Sequence, residues 1–245
     1  MDEKSWWDLW NTSYRTKDDN DAVSSELFAR TAAVVNDLSR SRNCDALEIG
    51  CGTGTLSRML VCTSYHGLDI SPAAIEIARQ KSGRISLALG ASPPTYEVAD
   101  FHEWSPRTSN LDIIVCVDAI AYFRDQQFVM NKIANSLRPQ GKLVLTTINP
   151  FVYRRIRRTK WVRLESGPVN HCLSRRDLHS LIRQAGLGIE RSFTIMPRGE
   201  LGILRIANSR RLNEMFGPRV AAALKSSKEH AGLGQYRVII ARKES

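Results

Sequence analysis

The sequence predicts an α/β fold, a mostly parallel sheet with helices on both of its faces. Three observations predict it. Short apolar runs alternate with helical patterns between residues 44 and 148, the rhythm of strands joined by crossover helices. One such run, Ala46, Leu47 and Ile49, passes directly into three alternating glycines, Gly50, Gly52 and Gly54, before a helical pattern opens at Thr55 or Leu56. Acids then stand at the ends of the next three strand candidates: Asp69, Asp100 and Asp118.

Taken in order, residues 5–40 read as helical. Trp6, Trp7, Leu9 and Trp10 fall near helical spacing, and the polar stretch Lys17 to Asp21 reads as a loop. Ser24 is placed to cap a helix running through Leu38 over Leu27, Phe28, Ala32, Val34 and Val35. Strands are expected at 44–49, 64–69, 95–99, 111–117 and 142–148, where apolar and β-branched residues cluster between turn signals. Helices are expected at 55–62, 72–82 and 125–137, with Pro72 at a favoured first helical position after Ser71. Beyond Pro150 the rhythm breaks. A basic, irregular connection at 151–173 leads to a helix from Ser174 to Ala185, stopped by Gly186. A strand at 188–196, a helical region around 201–229 and a closing strand at 235–241 complete seven strands.

At 245 residues and 42% hydrophobic content the chain fits one large α/β domain with a real core. No apolar run approaches the ~20 residues of a membrane-spanning helix, and the charged start Met1-Asp2-Glu3-Lys4 gives no signal-peptide pattern. Cys44, Cys51, Cys62, Cys116 and Cys172 lack paired metal-ligand or redox spacing and read as small, mostly buried residues, which points to reducing cytoplasm and to no metal. The net charge of +10 belongs to residues 151–245, whereas residues 1–150 are close to neutral. Nucleic-acid binding, an anionic small substrate and plain solubility all remain open as its cause.

A strand that turns through glycines into a helix N-terminus brings backbone N–H groups up to a nucleotide-like ligand. The spacing here is G-x-G-x-G rather than the G-x-G-x-x-G of a dinucleotide fold, with Glu48 two residues ahead of it. Glu48-Ile49-Gly50-Cys51-Gly52-Thr53-Gly54 closely resembles motif I of the class I S-adenosylmethionine-dependent methyltransferases, and the chain resembles their small-molecule, ubiquinone-biosynthesis-like branch. The resemblance implies a Rossmann-like, seven-stranded, mostly parallel sheet within a single methyltransferase domain spanning 1–245. Residues 1–40 would form an N-terminal helical lid, 41–150 the cofactor-binding half, and 151–245 the substrate-side elements, with an insertion after strand five and the last two strands.

The resemblance also implies roles. Glu48, Gly50, Cys51, Gly52 and Gly54 fall in the cofactor turn. Asp69 lies 19 residues after Gly50, near the ~20 expected of an acid that accepts from ribose hydroxyls, with Ile70 packing on the adenine. Asp100 is expected to accept from the adenine amino group while Phe101 lines the ring. Val117 and Asp118 are expected where cofactor and acceptor meet, whereas Asp112 only starts its strand.

Methyl transfer from a sulfonium mainly requires alignment in a dry pocket, with a general base only when the acceptor must lose a proton. His171 precedes Ser174-Arg175-Arg176-Asp177-Leu178, a segment that resembles the small-molecule branch, where a His or Tyr at this place often faces the pocket. Asp118 and Tyr122 are the alternative catalytic candidates; His66 and His179 read as structural. The Asn-Pro-Pro-(Tyr/Phe) motif of many amino-group enzymes acting on nucleic acid and protein is replaced by Val117-Asp118-Ala119-Ile120, which favours small-molecule acceptors, at oxygen first and nitrogen next. Trp6, Trp10 and Tyr14 are candidate lid contacts to substrate. Arg154 and Arg158 belong to a run of six cations between 154 and 163, beside Tyr153 and around Trp161. That run suits an anionic or carrier-bound acceptor, an RNA platform, or a solvated loop. A non-catalytic binding protein that kept the fold is the remaining alternative.

Overall fold

The computed structural model describes residues 3–13, 22–39, 44–82, 92–106, 110–152, 173–197, 217, 220, 222–223 and 226–244. Seven strands form one sheet: β1 Asp45–Ile49, β2 Ser64–Asp69, β3 Thr95–Val98, β4 Leu111–Val117, β5 Leu137–Ile148, β6 Leu187–Pro197 and β7 Gly234–Lys243. Their spatial order is β3-β2-β1-β4-β5-β7-β6. β1 to β5 are parallel, and β7 runs antiparallel to both β5 and β6. The chain therefore steps outward from β1 to β3, returns, and restarts at β4. The β1–β4 boundary is the topological switch point, the place where an open α/β sheet leaves a crevice at its carboxyl edge.

Helices α1 Glu3–Ser13, α2 Ala22–Ser39, α3 Pro72–Ser82, α4 Gln126–Ser136 and α5 Arg175–Gln184 accompany the sheet. β4 shows how its two faces are used. Ile114 and Cys116 pack with Val129, Met130 and Ile133 of α4 and Leu178 and Ile182 of α5. Ile113, Val115 and Val117 pack with Leu27, Phe28, Ala32 and Val35 of α2. This is the period-two alternation of a strand covered on both sides. Smaller residues of α3, Ile75 and Ala78, close over Tyr65 and Tyr96.

Caps follow the sequence closely. Pro72 opens α3 and the Ser71 hydroxyl accepts from Ala74 N–H at 3.1 Å. Asp125 caps α4 by accepting from Phe128 N–H, and Ser174 caps α5 by accepting from Asp177 N–H. Three expectations are corrected. Ser24 lies inside α2, which already begins at Ala22, so it is not the cap. The helix expected at 55–62 is a single 3-10 turn, Leu56–Met59, because Leu60 turns extended at φ −86° and ψ 144°. β5 begins at Leu137, five residues before the expected strand. Residues 226–230 are helical; the rest of the expected 201–229 helical region falls mainly outside the described residues, as does the insertion at 153–172.

Candidate active site

Backbone geometry makes the turn after β1. Gly50 adopts φ +70° and Gly54 φ +71°, a region that costs an L side chain. Space forbids one as well: a Cβ on Gly50 would meet Ala119 Cβ at 2.6 Å, and one on Gly54 would meet the Tyr96 hydroxyl at 2.9 Å. Gly50 and Cys51 N–H both donate to Leu68 O, at 2.8 and 2.9 Å, tying the turn to the end of β2. Cys51 is buried and packs where any side chain on Gly67 would lie.

Beneath the turn sits Glu48, 0% exposed, accepting a short hydrogen bond from the Tyr65 hydroxyl. Burial, and then the charge of Glu48, push the Tyr65 phenol well above its ordinary range. The pair fixes the floor of the turn rather than its open side.

At the end of β2 the half-buried Asp69 is held in place by the turn itself. Its carboxylate accepts from Gly52 N–H at 2.8 Å and from Ser71 N–H at 3.0 Å. Ile70 beside it is half-buried. A glycine turn at positive φ, a half-buried carboxylate at the next strand end and a switch-point crevice together fit an adenosyl ligand. The turn allows close approach of backbone, and the acid suits a ribose diol.

Asp100 stands one residue beyond Ala99, whose N–H donates to Asp69 O at 2.9 Å. Its carboxylate accepts from His102 N–H at 2.8 Å, contacts the His102 ring at 3.0 Å and pairs with Arg124 at 3.0 Å. Burial alone would raise this carboxyl, but the His102 contacts and the Arg124 charge outweigh it and hold it below its ordinary value. Phe101, the next residue, is buried. The residue is 3% exposed, its ring stacked 5.8 Å from Trp104 and tilted against Phe123 at 6.3 Å, with the Lys132 ammonium 5.3 Å from its centroid. The side chain belongs to the core, because the turn after β3 is pulled inward by Lys132, which donates to the Phe101 and His102 carbonyls.

Across the crevice, β4 ends at buried Val117 and at Asp118, a non-glycine residue at φ +51°. Such a conformation costs roughly 1–3 kcal/mol and persists where surroundings impose it. Here Asp118 N–H donates to Thr146 O at 2.9 Å and its carboxylate accepts from Ile148 N–H at 3.3 Å. Both contacts lock the β4 and β5 ends together. The 3-10 turn Ile120–Tyr122 follows and presents Tyr122 edge-on to Trp7 of α1, centroids 4.8 Å apart. Trp6 packs edge-on against Trp7 at 4.7 Å. Burial pushes the Cys116 thiol up to about 12, so it stays protonated and packs as a small core residue.

Asp8 is a site residue that sequence reading missed. Its carboxylate accepts from the Ser71 hydroxyl at 2.5 Å and from Ala73 N–H at 3.2 Å, at the start of α3. Helix α1 thus reaches from the β2–α3 junction, next to Asp69, to the turn after β4. Only the excess of aromatics in α1 hinted at this; nothing local marks Asp8. His66 bonds Thr95 and Glu97, and His179 bonds the Ser192 hydroxyl, both within the scaffold. Asp112 accepts from Asp45 N–H and from Arg138 at the strand start. Tyr14, Arg154, Arg158, His171 and Cys172, and the side chain of Trp10, lie outside the described residues.

Among the described residues no group of three His, Cys, Asp or Glu is placed to hold a metal, and no helix is long and apolar enough to cross a membrane. A methyltransferase-domain family model matches residues 23–192. The mitochondrial ubiquinone biosynthesis O-methyltransferase of Schizosaccharomyces pombe is 25% identical over 166 residues, covering 62% of this chain and 54% of that protein. The ubiquinone biosynthesis O-methyltransferase of Coxiella burnetii is 29% identical over 105 residues, covering 42% and 43%. The chain therefore spans about half the length of the curated relatives it matches. In fold, it matches the N-methyltransferase NodS of Bradyrhizobium japonicum, solved with S-adenosyl-L-homocysteine, at TM-score 0.66 and 15% identity over 100% of both chains. With the family model covering well over half of the sequence, and with this strand order and glycine turn, the chain belongs to the methyltransferase-domain family and with it to the S-adenosylmethionine-dependent methyltransferases.

Proposed function

We propose that this chain, as one methyltransferase domain, methylates an oxygen nucleophile on a small molecule. The observation that carries the reading is the layout of the switch-point crevice. The glycine turn and Asp69 stand on its β2 side, Asp118 and Tyr122 on its β4 side, with α1 contacting both. S-adenosylmethionine, when bound, supplies a methyl group already activated by its sulfonium. The chain's own residues then bind, orient and dry. The turn from Gly50 to Gly54 would receive the amino-acid end of the cofactor, Asp69 its ribose, and Asp100 its adenine edge. Trp6, Trp7 and Tyr122 would keep water from the acceptor side.

A hydroxyl acceptor must shed its proton. Asp118 or His171 would take it, Asp118 from a position fixed by its bond to Ile148 N–H. Support for oxygen comes from relatives named as ubiquinone biosynthesis O-methyltransferases, and from Val117-Asp118-Ala119-Ile120 standing where amino-group enzymes carry another motif. The cations Arg154 and Arg158 support an anionic or carrier-bound acceptor, in the cytoplasm.

Labelled cofactor incubated with pools of hydroxylated aromatic acids, amines and RNA tests the reading. Label appearing on the hydroxyl compounds is the expected result; label on RNA alone overturns it. Asp118→Asn keeps both the αL-tolerant side chain and the acceptor for Ile148 N–H. It should lower kcat with S-adenosylhomocysteine affinity preserved, and an unaltered rate removes Asp118 from the proton transfer.

A further inference from the structure

Arg237, in the middle of the closing strand, is the one large cation among the described residues that the sheet itself buries, at 9% exposure. It pairs across β7 with Thr147 of β5 on one side and Thr194 of β6 on the other. Ile239, two residues along, packs on the core beneath α4 and α5. The alternation of side chains along a strand therefore puts Arg237 on the same face, toward the first turns of α5. Among the described residues nothing accepts from its buried Nε–H, and no carboxylate lies within ion-pair distance of it. A buried, uncompensated guanidinium is costly, and such groups are retained where they meet a partner.

The surroundings are cationic. Arg175 of α5 is the charge on that helix that acts on Arg237, and the His179 imidazole feels Arg175, Arg183 and Arg237. Burial first, and then the Arg175 charge, draw the Arg237 proton affinity below the usual arginine range. Burial, Arg175, Arg183 and Arg237 together hold His179 below its ordinary value, so it adds no positive charge near neutrality. The first turn of α5 adds the positive end of its helix dipole, and its one acid, Asp177, is engaged by the Ser174 hydroxyl, which donates to it at 2.6 Å.

Position gives this charge its meaning. Thr147 lies at the carboxyl end of β5, level with the contact of Asp118 to Ile148. Adjacent strands lie about 4.8 Å apart, so Arg237, two strands from Asp118, is on the order of 10 Å from it along the cleft edge. That separation matches the length of a small aromatic acid.

We propose that Arg237, supported by Arg175, is an oxyanion subsite that holds a carboxylate or phosphate on the acceptor while its methyl-accepting atom lies at the Asp118 end of the crevice. The guanidinium offers a forked pair of donors suited to either group. The meaning of the ligand rests on the methyl-transfer reading; the existence of the anion site does not.

Proton–nitrogen NMR of arginine Nε–H groups in the full chain tests it. The Arg237 resonance is identified by its loss in Arg237→Lys. Titration with inorganic phosphate and, separately, with benzoate should shift it saturably, and the anion that acts distinguishes phosphate from carboxylate. An Arg237 resonance that ignores both anions overturns the proposal. Arg237→Met removes the buried charge with little loss of volume, and should lower kcat/KM for anionic acceptors by about ten- to a hundred-fold, leaving neutral analogues and S-adenosylhomocysteine binding unchanged. Equal losses for anionic and neutral acceptors also overturn it. Should that variant fail to fold, the titration of the unsubstituted protein decides. S-adenosylhomocysteine failing to bind in parallel calorimetry would overturn the methyl-transfer reading while leaving the anion result standing.

Discussion

The two sides of the switch-point crevice are built on different principles. On the β2 side, contiguous residues do the work. Glu48 to Gly54 form floor and turn, and the last residues of β2, Leu68 and Asp69, accept hydrogen bonds from the turn's backbone N–H groups. On the β5 side, Asp118, Ile148, Thr147 and Arg237 come from three strands, and the last of these enters antiparallel from far along the chain. One side is a short-range device, the other a long-range one. A binding site made from one loop can be specified by spacing. A site made from register has no local signature.

The comparison can be broken most severely at Gly50. Gly50→Ala places a Cβ 2.6 Å from Ala119 Cβ at φ +70°. Backbone strain and overpacking each cost roughly 1–3 kcal/mol, so cofactor binding should be abolished and the urea midpoint should fall. Adding Ala119→Gly should recover the overpacking share only; full recovery would show that φ imposes nothing here. Next in size is Asp69→Asn, which leaves the fold near its original stability. It should weaken S-adenosylhomocysteine about ten- to a hundred-fold by calorimetry, and an unchanged affinity would remove Asp69 from the ligand.

Smaller is the effect of Asp8→Ala. It strips the acceptor from the Ser71 hydroxyl and Ala73 N–H, a loss comparable to a missing helix cap, about 1 kcal/mol. Proteolysis within α1 should quicken while the sheet stays protected; unchanged cleavage would mean that α1 is held by its tryptophans alone. Smallest is a pH effect at Asp100. Its carboxyl is held below the ordinary value of 3.8 in the folded protein. The sign follows from linkage: this stabilisation is fully present above the unfolded value and is lost as pH falls through the lower, folded one. Asp100→Asn should therefore lose stability near neutral pH, with the gap to the unsubstituted protein closing in acid. A gap that persists in acid would deny the ionic origin.

These contrasts explain what could be read from the chain and what could not. The strand positions and the glycine turn were legible because apolar alternation and glycine spacing are local signals. Leu56, Met59 and Leu60 carry a helical-looking pattern, yet only one 3-10 turn forms, since Leu60 must turn extended. The packing of Phe101 was not legible because its neighbours Trp104, Phe123 and Lys132 decide its direction, and two of them lie beyond the next strand. Asp8 and Arg237 were invisible for the same reason. Their partners are set by packing between elements distant in sequence, as is the shared lock of Asp118 and Ile148.

The insertion of β7 between β5 and β6 also dictates a timetable. During synthesis β5 leaves the ribosome with one side unpaired, and β6 follows without a neighbour in the sheet. Both wait for a strand made later, an arrangement of high contact order that folds slowly. Until it arrives the nascent chain carries two open, apolar edges of the kind that recruit chaperones or other chains.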